Sequence, residues 1–244
     1  MTGSLKRRLD LLLVERGLVE TREKARALIM AGSVLVRGQR AAKAGQAVES
    51  DCPLELLETL RYVGRGGLKL EAALDGFQIP VDGRLCLDVG SSTGGFTDCL
   101  LQRGALRVYA IDVGKGQLDW KLRNDPRVVL REGLNARYLA FDDIGEVVDL
   151  AVCDVSFISV TMILPCLPPL LTPSGCMVIL VKPQFEVGRR LVGKGGIVRD
   201  PESHRAACAR VETAAGQLGF HTAIMESPIL GAEGNKEFLL YAHR

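Results

Sequence analysis

Residues 85–96 read Leu-Cys-Leu-Asp-Val-Gly-Ser-Ser-Thr-Gly-Gly-Phe. A short apolar run ends at Asp88-Val89, and glycines follow at 90, 94 and 95 before a helical pattern begins. A strand, a glycine turn and a helix in that order let a ligand approach the backbone at the C-terminal edge of a sheet. Working outward, further strand patterns lie at 107–112, 127–132, 147–155, 176–182, 223–229 and 237–243. Helical or apolar stretches separate the early ones, so the spacing predicts a mostly parallel sheet with crossover helices. The last two strands lie close together in sequence, which predicts an antiparallel edge. The expected fold is therefore α/β and Rossmann-like, with a seven-stranded sheet over residues 62–244. Residues 62–80 form its linker and first helix, which carries Lys69. Residues 1–61 form a separate small α+β module.

Three ligand classes compete for the glycine turn. A phosphate loop needs Gly-Lys-Ser/Thr, and none follows. A dinucleotide fingerprint needs G-x-G-x-x-G, and Gly90-x-x-x-Gly94-Gly95 does not fit it. S-adenosylmethionine has no pyrophosphate, and its sites commonly carry an acid before such a loop, where Asp88 stands. A purely structural turn is the alternative. Gly90, Ser92, Gly94, Gly95 and Phe96 are the candidate loop contacts. Asp112 ends the second strand, where a carboxylate can accept both hydroxyls of an adenosine ribose. Asn135, after the third strand, is a candidate for the adenine edge.

Charge is unevenly spread. The chain of 244 residues has a net charge of +2, but residues 1–69 hold 13 basic and 8 acidic residues, net +5, and the remainder is net −3. The segment 8–19 places Leu9, Leu12, Leu13 and Leu18 near helical spacing, and Gly17 can end that helix. Thr21 can cap a second helix over 21–32, with Ala25, Leu28 and Ile29 on its apolar face and Gly32 past its end. A short strand follows from Val34, and Arg37-Gly38 reads as a turn. Arg8, Arg22, Arg26, Arg37, Arg40 and Lys43 form a candidate phosphate-contacting set, although a solvated basic face has the same composition. The order Arg8-Leu9-Asp10, Gly17, Thr21-Arg22, Ala25, Leu28-Ile29, Gly32, Val34, Val36 and Gly38 resembles the S4 RNA-binding domain. That resemblance implies recognition of structured RNA through shape and backbone, consistent with an aromatic content of only 5%.

Composition closes off other classes. Hydrophobic residues make up 47% and charged residues 25%, which excludes a disordered or fibrous chain. The 7 cysteines have no C-x-x-C pair, so no metal site is expected and the thiols read as reduced and buried. Val155 to Val181 carries no charge over 27 residues, enough for a bilayer on length alone. Pro165, Pro168, Pro169, Pro173 and Gly175 break it, and a strand–helix–strand segment is expected instead. With no signal peptide at the N-terminus, a cytoplasmic location is expected.

The acceptor is harder to read. Methylation of base amines is associated with Asn/Asp-Pro-Pro-aromatic after strand four, whereas this chain has Asp154-Val155-Ser156-Phe157. Cys153 lacks the context of a nucleophile for pyrimidine C5. Lys182, after the apolar strand 176–181, sits where partial desolvation lets an amine take a proton. Asp154, Glu237 and Lys69 are the other charged residues near predicted sheet edges. Singly, each could equally be a surface ion-pair partner.

Together these four resemble the Lys–Asp–Lys–Glu tetrad of FtsJ-like RNA 2′-O-methyltransferases. A closer resemblance is to the TlyA family, also called haemolysin A, whose members join an S4 domain to such a body. It is carried by Gly66-Gly67-Leu68-Lys69-Leu70, Asp88 to Phe96, Asp154 to Ser159, Val181-Lys182-Pro183-Gln184-Phe185-Glu186, and Gly234-Asn235-Lys236-Glu237. The resemblance implies S-adenosylmethionine as cofactor and ribose 2′-hydroxyls, on cytidines of ribosomal RNA or ribosomal subunits, as acceptor. It implies Lys69, Asp154, Lys182 and Glu237 as the catalytic set, with Asp154 also contacting the cofactor, and no metal. Two rivals stand beside it. One is a membrane-acting cytolysin, for which the 155–181 run is the only foothold. The other is a non-catalytic S4 protein with a methyltransferase-like body.

Overall fold

A computed structural model describes residues 6–30, 33–41, 43–56, 61–231 and 234–244. The chain divides into two compact units, Met1–Arg61 and Tyr62–Arg244. Gly32, expected to end the second helix, lies outside the described residues.

In the first unit, β1 (Lys6–Arg8) leads into α1 (Leu9–Glu15) and α2 (Arg22–Met30). Three short strands, β2 (Val34–Val36), β3 (Gln39–Arg40) and β5 (Leu54–Leu56), form one sheet, and β4 (Ala47–Glu49) pairs with β1. The periodic positions Leu9, Leu12, Leu13, Ala25 and Ile29 are buried together with Val34 and Val48. Leu18 falls beyond α1 and is exposed. Arg37 and Gly38, at φ +52° and +76°, turn the chain from β2 into β3.

The second unit opens with α3 (Gly66–Gly76) and then alternates β6 (Leu85–Val89), α4 (Gly95–Gln102), β7 (Arg107–Asp112), α5 (Trp120–Arg123), β8 (Val128–Glu132), α6 (Phe141–Ile144) and β9 (Val148–Cys153). It continues with β10 (Leu171–Val181), α7 (Pro183–Glu186), α8 (Pro201–Gln217), β11 (His221–Glu226) and β12 (Phe238–His243). The strand order is β11-β12-β10-β9-β6-β7-β8. Every pair is parallel except those that β12 makes with β10 and β11. From β6 the chain runs outward through β7 and β8, then returns to place β9 on the other side of β6. The strand order reverses there, and the crevice at the carboxyl ends of β6 and β9 is the expected ligand position.

The uncharged run differs from the expected strand–helix–strand. Three 3-10 turns, Val160–Met162, Leu164–Cys166 and Pro168–Leu170, lead into β10. Pro165, Pro168 and Pro169 lack the N–H that a continuous helix needs. Val160, Ile163, Leu164, Leu167 and Leu170 are all buried in the sheet's core. No helix among the described residues is long and apolar enough to cross a membrane.

Candidate active site

Gly90 leaves β6 at φ +86°, and a Cβ there would stand 2.3 Å from the Asp154 carbonyl oxygen. That carbonyl is held because the Asp154 N–H donates to the Val89 carbonyl at 2.9 Å. Only glycine serves at 90. Two residues on, the Ser92 N–H donates to Asp112 Oδ2 at 2.8 Å, and the Gly114 N–H donates to Oδ1 at 2.7 Å. Backbone amides from both neighbouring loops thus fix the Asp112 carboxylate, and each oxygen keeps a second lone pair for a ligand. A cleft of about 480 Å³ lies against it, lined among others by Gly90, Ser92, Asp112, Asn135, Asp154 and Phe157. Asn135 Oδ1 accepts from the Arg137 N–H at 3.1 Å. Its Nδ2 donates to no described residue and is available at the cleft wall.

The other loop candidates have different work. A Cβ on Gly94 (φ +98°) would meet Leu122 at 2.2 Å, and one on Gly95 would meet Gly67 N at 3.0 Å. Both glycines permit close packing of α4 against α5 and α3. Phe96 is buried in the core and packs on Gly66. These three belong to the loop's support and do not line the cleft. Asp88 is fully buried beneath the loop and accepts from Thr97 Oγ1 at 2.6 Å, while its Oδ1 has no partner. Burial pushes its carboxyl up to about 7, against the opposing hydrogen bond from Thr97.

A second cleft of about 350 Å³ shares Ser156 and Phe157 with the first and is also lined by Lys182, Phe185, Gly196 and Glu237. Its charged residues come from sheet register. Val181 pairs with Phe238 across β10 and β12, so Lys182, which follows one strand, faces Glu237, which precedes the other. Lys182 Nζ forms an ion pair with Asp154 Oδ1 at 2.5 Å and donates to Ser156 Oγ at 2.8 Å. Lys69, on α3, is buried and donates to Glu237. The four charged residues therefore meet as two ion pairs, each with its counter-charge in place.

Residues 62–244 match the FtsJ-like methyltransferase family, and residues 7–51 match the S4 domain. YqxC of Bacillus subtilis is 51% identical, covering 98% of this chain and 86% of its own. TlyA of Mycobacterium tuberculosis, named a 16S/23S rRNA (cytidine-2′-O)-methyltransferase, is 47% identical, covering 96% and 88%. A solved structure from Streptococcus thermophilus, described as a hemolysin, is 45% identical with a TM-score of 0.76, covering 99% and 90%. The chain belongs to the TlyA family of FtsJ-like methyltransferases. Its cofactor is S-adenosylmethionine. The first cleft suits that ligand: a bare glycine edge at 90, a fixed carboxylate at 112 and an amide at 135 surround it.

Two features of the methyltransferase body escaped the sequence reading. Phe157 is 90% exposed at φ +66°, an uncommon conformation for a bulky residue. Its ring lies 5.4 Å from that of Phe185, so two aromatic rings flank the second cleft in a chain with few aromatics. Both residues sit in motifs quoted above, which was the available signal. The second feature is the segment 187–199, which contains no acidic residue. Arg189, Arg190, Lys194 and Arg199 are exposed there, and none forms an ion pair with a described residue.

In the S4 unit the basic residues divide. Asp10 is buried and receives Arg8 through two hydrogen bonds, at 3.0 and 2.9 Å, and Arg22 at 3.0 Å. Its carboxyl is held far below the usual range, chiefly by the Arg8 hydrogen bonds. Arg8 and Arg22, expected at an RNA surface, are thus committed to a structural pair, though each remains about half exposed. Arg37 pairs with Glu49. Arg26, Arg40 and Lys43 are exposed with no ion pair among the described residues.

Proposed function

We propose that this enzyme methylates ribose 2′-hydroxyls of ribosomal RNA, at cytidines, with the S4 unit docking the RNA and a ribosomal subunit as the natural substrate. The observation that carries this reading is the pair of clefts meeting at Ser156 and Phe157, with Lys182 and Glu237 in the second. The relatives' names support the acceptor, and the unpaired cations of 187–199 suit a polyanion.

Bound S-adenosylmethionine supplies an electrophilic methyl group with its own neutral leaving group, so the acceptor needs only positioning and proton removal. Asp112 would hold ribose hydroxyls of the cofactor, Asn135 its adenine edge, and Gly90 and Ser92 its backbone-facing side. In the second cleft, the Lys182 ammonium stabilises the developing alkoxide of the RNA ribose, or, once its Nζ has released a proton to solvent, the neutral amine receives the proton of the attacking hydroxyl. Asp154 and Ser156 fix the lysine's Nζ. Glu237 neutralises Lys69, whose positive charge would otherwise be buried alone. Phe157 and Phe185 offer apolar faces to an unstacked base. The remainder of the rate comes from alignment, which is worth several orders of magnitude when reacting atoms are held in line.

The run that favoured the cytolysin reading is broken into three 3-10 turns and a strand, and Val160, Ile163, Leu164, Leu167, Leu170, Met177, Ile179 and Val181 of it are buried in the sheet's core. Incubating the protein with ribosomal RNA and methyl-labelled S-adenosylmethionine tests the proposal. Alkali-resistant 2′-O-methyl cytidine is the expected product. Label on base atoms, or no label on RNA or subunits, overturns it.

A further inference from the structure

The segment 187–199 closes one side of the second cleft through Val192 and Gly196. It contains only two 3-10 turns, Arg189–Leu191 and Lys194–Gly196, and Gly195 and Gly196 lie at φ +75° and +77°. Such a segment has little stiffness of its own. Two side chains tie it to the body, and Asn235 makes two of the three hydrogen bonds. Asn235 is 1% exposed. Its Oδ1 accepts from the Val198 N–H at 2.9 Å, and its Nδ2 donates to the Gly196 carbonyl at 3.0 Å. Its own carbonyl accepts from the Gly231 N–H at 2.9 Å. The amide therefore spends its two ends on alternate residues of the loop, as a neighbouring strand would. His204 Nε2 meets the Val198 carbonyl at 2.9 Å and adds a second tether.

The placement matters because Asn235 stands two residues before Glu237, which lines the same cleft. One short segment thus carries an acid of the cleft and the clasp on the opposite wall. We propose that Asn235 is a positioning residue for the methyl acceptor: it holds the 187–199 wall at a fixed distance from Glu237 and Lys182. This rests on the acceptor role assigned to the second cleft. Asn235 lines neither cleft, so it acts through the wall, and cofactor binding should be indifferent to it. Leucine or alanine at 235 would strand the buried Val198 N–H and the partly buried Gly196 carbonyl. Aspartate would keep the acceptor for Val198 but could only repel the Gly196 carbonyl.

The loop itself supplies the reporter, because Arg189, Arg190, Lys194 and Arg199 are tryptic sites confined to it. Full-length Asn235→Ala and Asn235→Asp are compared with wild type, with thermal melts confirming the fold. Limited trypsinolysis should cut within 187–199 about tenfold faster in both variants. S-adenosylmethionine affinity should stay within about twofold, while kcat/KM for RNA falls roughly 10- to 100-fold. Gly196→Ala, which strains the same contact from the loop side, should give the same phenotype, and its loss should not add to that of Asn235→Ala. Unchanged trypsin sensitivity overturns the clasp. Faster cleavage with unchanged RNA kinetics, or loss of cofactor binding in step with RNA activity, overturns the positioning role. Wild-type protein that transfers no methyl to RNA would instead defeat the acceptor assignment, and the trypsin result would still report on the clasp.

Discussion

Lys182 and Asp154 stand at the ends of adjacent parallel strands with Nζ 2.5 Å from Oδ1, while Lys69 is paired separately with Glu237. The charges at and beside the second cleft are thus balanced pairwise. A single truncation leaves one partly buried charge without its partner, and that orphan can cost more than the lost contact. Variants must therefore be judged on fold and cofactor binding as well as on rate.

Lys182→Ala is expected to lose methyl transfer by roughly 10² to 10⁴ in single-turnover rate, the usual worth of a general base. Cofactor affinity should persist, since Lys182 lies outside the first cleft. Lys182→Arg keeps the charge but cannot give up its proton at working pH. It is expected to fail as badly as alanine. Substantial activity in the arginine variant would make Lys182 a charge stabiliser, and near-normal activity in the alanine variant would remove it from the chemistry.

Asp112→Ala is expected to weaken S-adenosylmethionine binding at least about tenfold, from a wild-type affinity on the order of micromolar, or −8 kcal/mol. The carboxylate organises the Ser92 and Gly114 amides as well as facing the cleft, so the variant loses both contact and loop order. Calorimetry reads it directly. Unchanged affinity would move the cofactor's ribose elsewhere.

The strand–glycine–helix element at 85–96 and the outlying strands were legible because each is a local pattern. That Lys69, Asp154, Lys182 and Glu237 form one set was legible only through the family resemblance, and which lysine pairs with which acid, Lys182 with Asp154 and Lys69 with Glu237 across a sequence separation of 168 residues, was not legible at all. Register between β10 and β12 decides which strand-end residues face each other, and no local pattern encodes it. Gly94 and Gly95 looked identical to Gly90 in sequence. What separates them is what the missing Cβ would meet, the Asp154 carbonyl at 90, leucine side chains at 94 and the backbone of Gly67 at 95, and that Gly90 alone of the three lines the cleft. The shared partner of the exposed Arg8 and Arg22 was hidden for a related reason: Asp10, two residues from one and twelve from the other, becomes their partner only when β1, α1 and α2 fold together. The 3-10 turns at 160–170 followed from prolines that had been read only as breaks in a membrane span.

Asp88→Asn tests the buried carboxyl. Its folded value is raised to about 7, so the stabilising protonated form is complete below the unfolded value near 4 and is lost as pH rises through 7. Asparagine can still accept from Thr97 and never ionises. Between pH 5 and pH 8 the melting temperature of wild type should therefore fall relative to the variant. The change should be on the order of 2 kcal/mol, or about 5 °C. A difference that is flat with pH would show that Asp88 keeps one protonation state across the range.

The S4 unit offers a separation of structural from RNA-contacting cations. Arg40 and Lys43 have no described ion pair, so replacing both by alanine should leave the melting temperature unchanged and weaken RNA binding. Two lost phosphate contacts should flatten the slope of log K against log salt by about 1.4 to 1.8. Arg22→Ala should behave differently. It removes one of two cations from buried Asp10, whose depressed carboxyl contributes stability above about pH 4 that is lost on acidification. That variant should melt earlier at neutral pH, and the deficit should shrink as pH falls well below 4, through the depressed folded value of Asp10. Filter binding across a salt series, together with melts at pH 7 and at pH 2, distinguishes the two classes. An unchanged salt slope in the double variant would take Arg40 and Lys43 out of the RNA interface. An unchanged melt in Arg22→Ala would show that Arg8 alone satisfies Asp10 and return Arg22 to the pool of residues free to meet RNA.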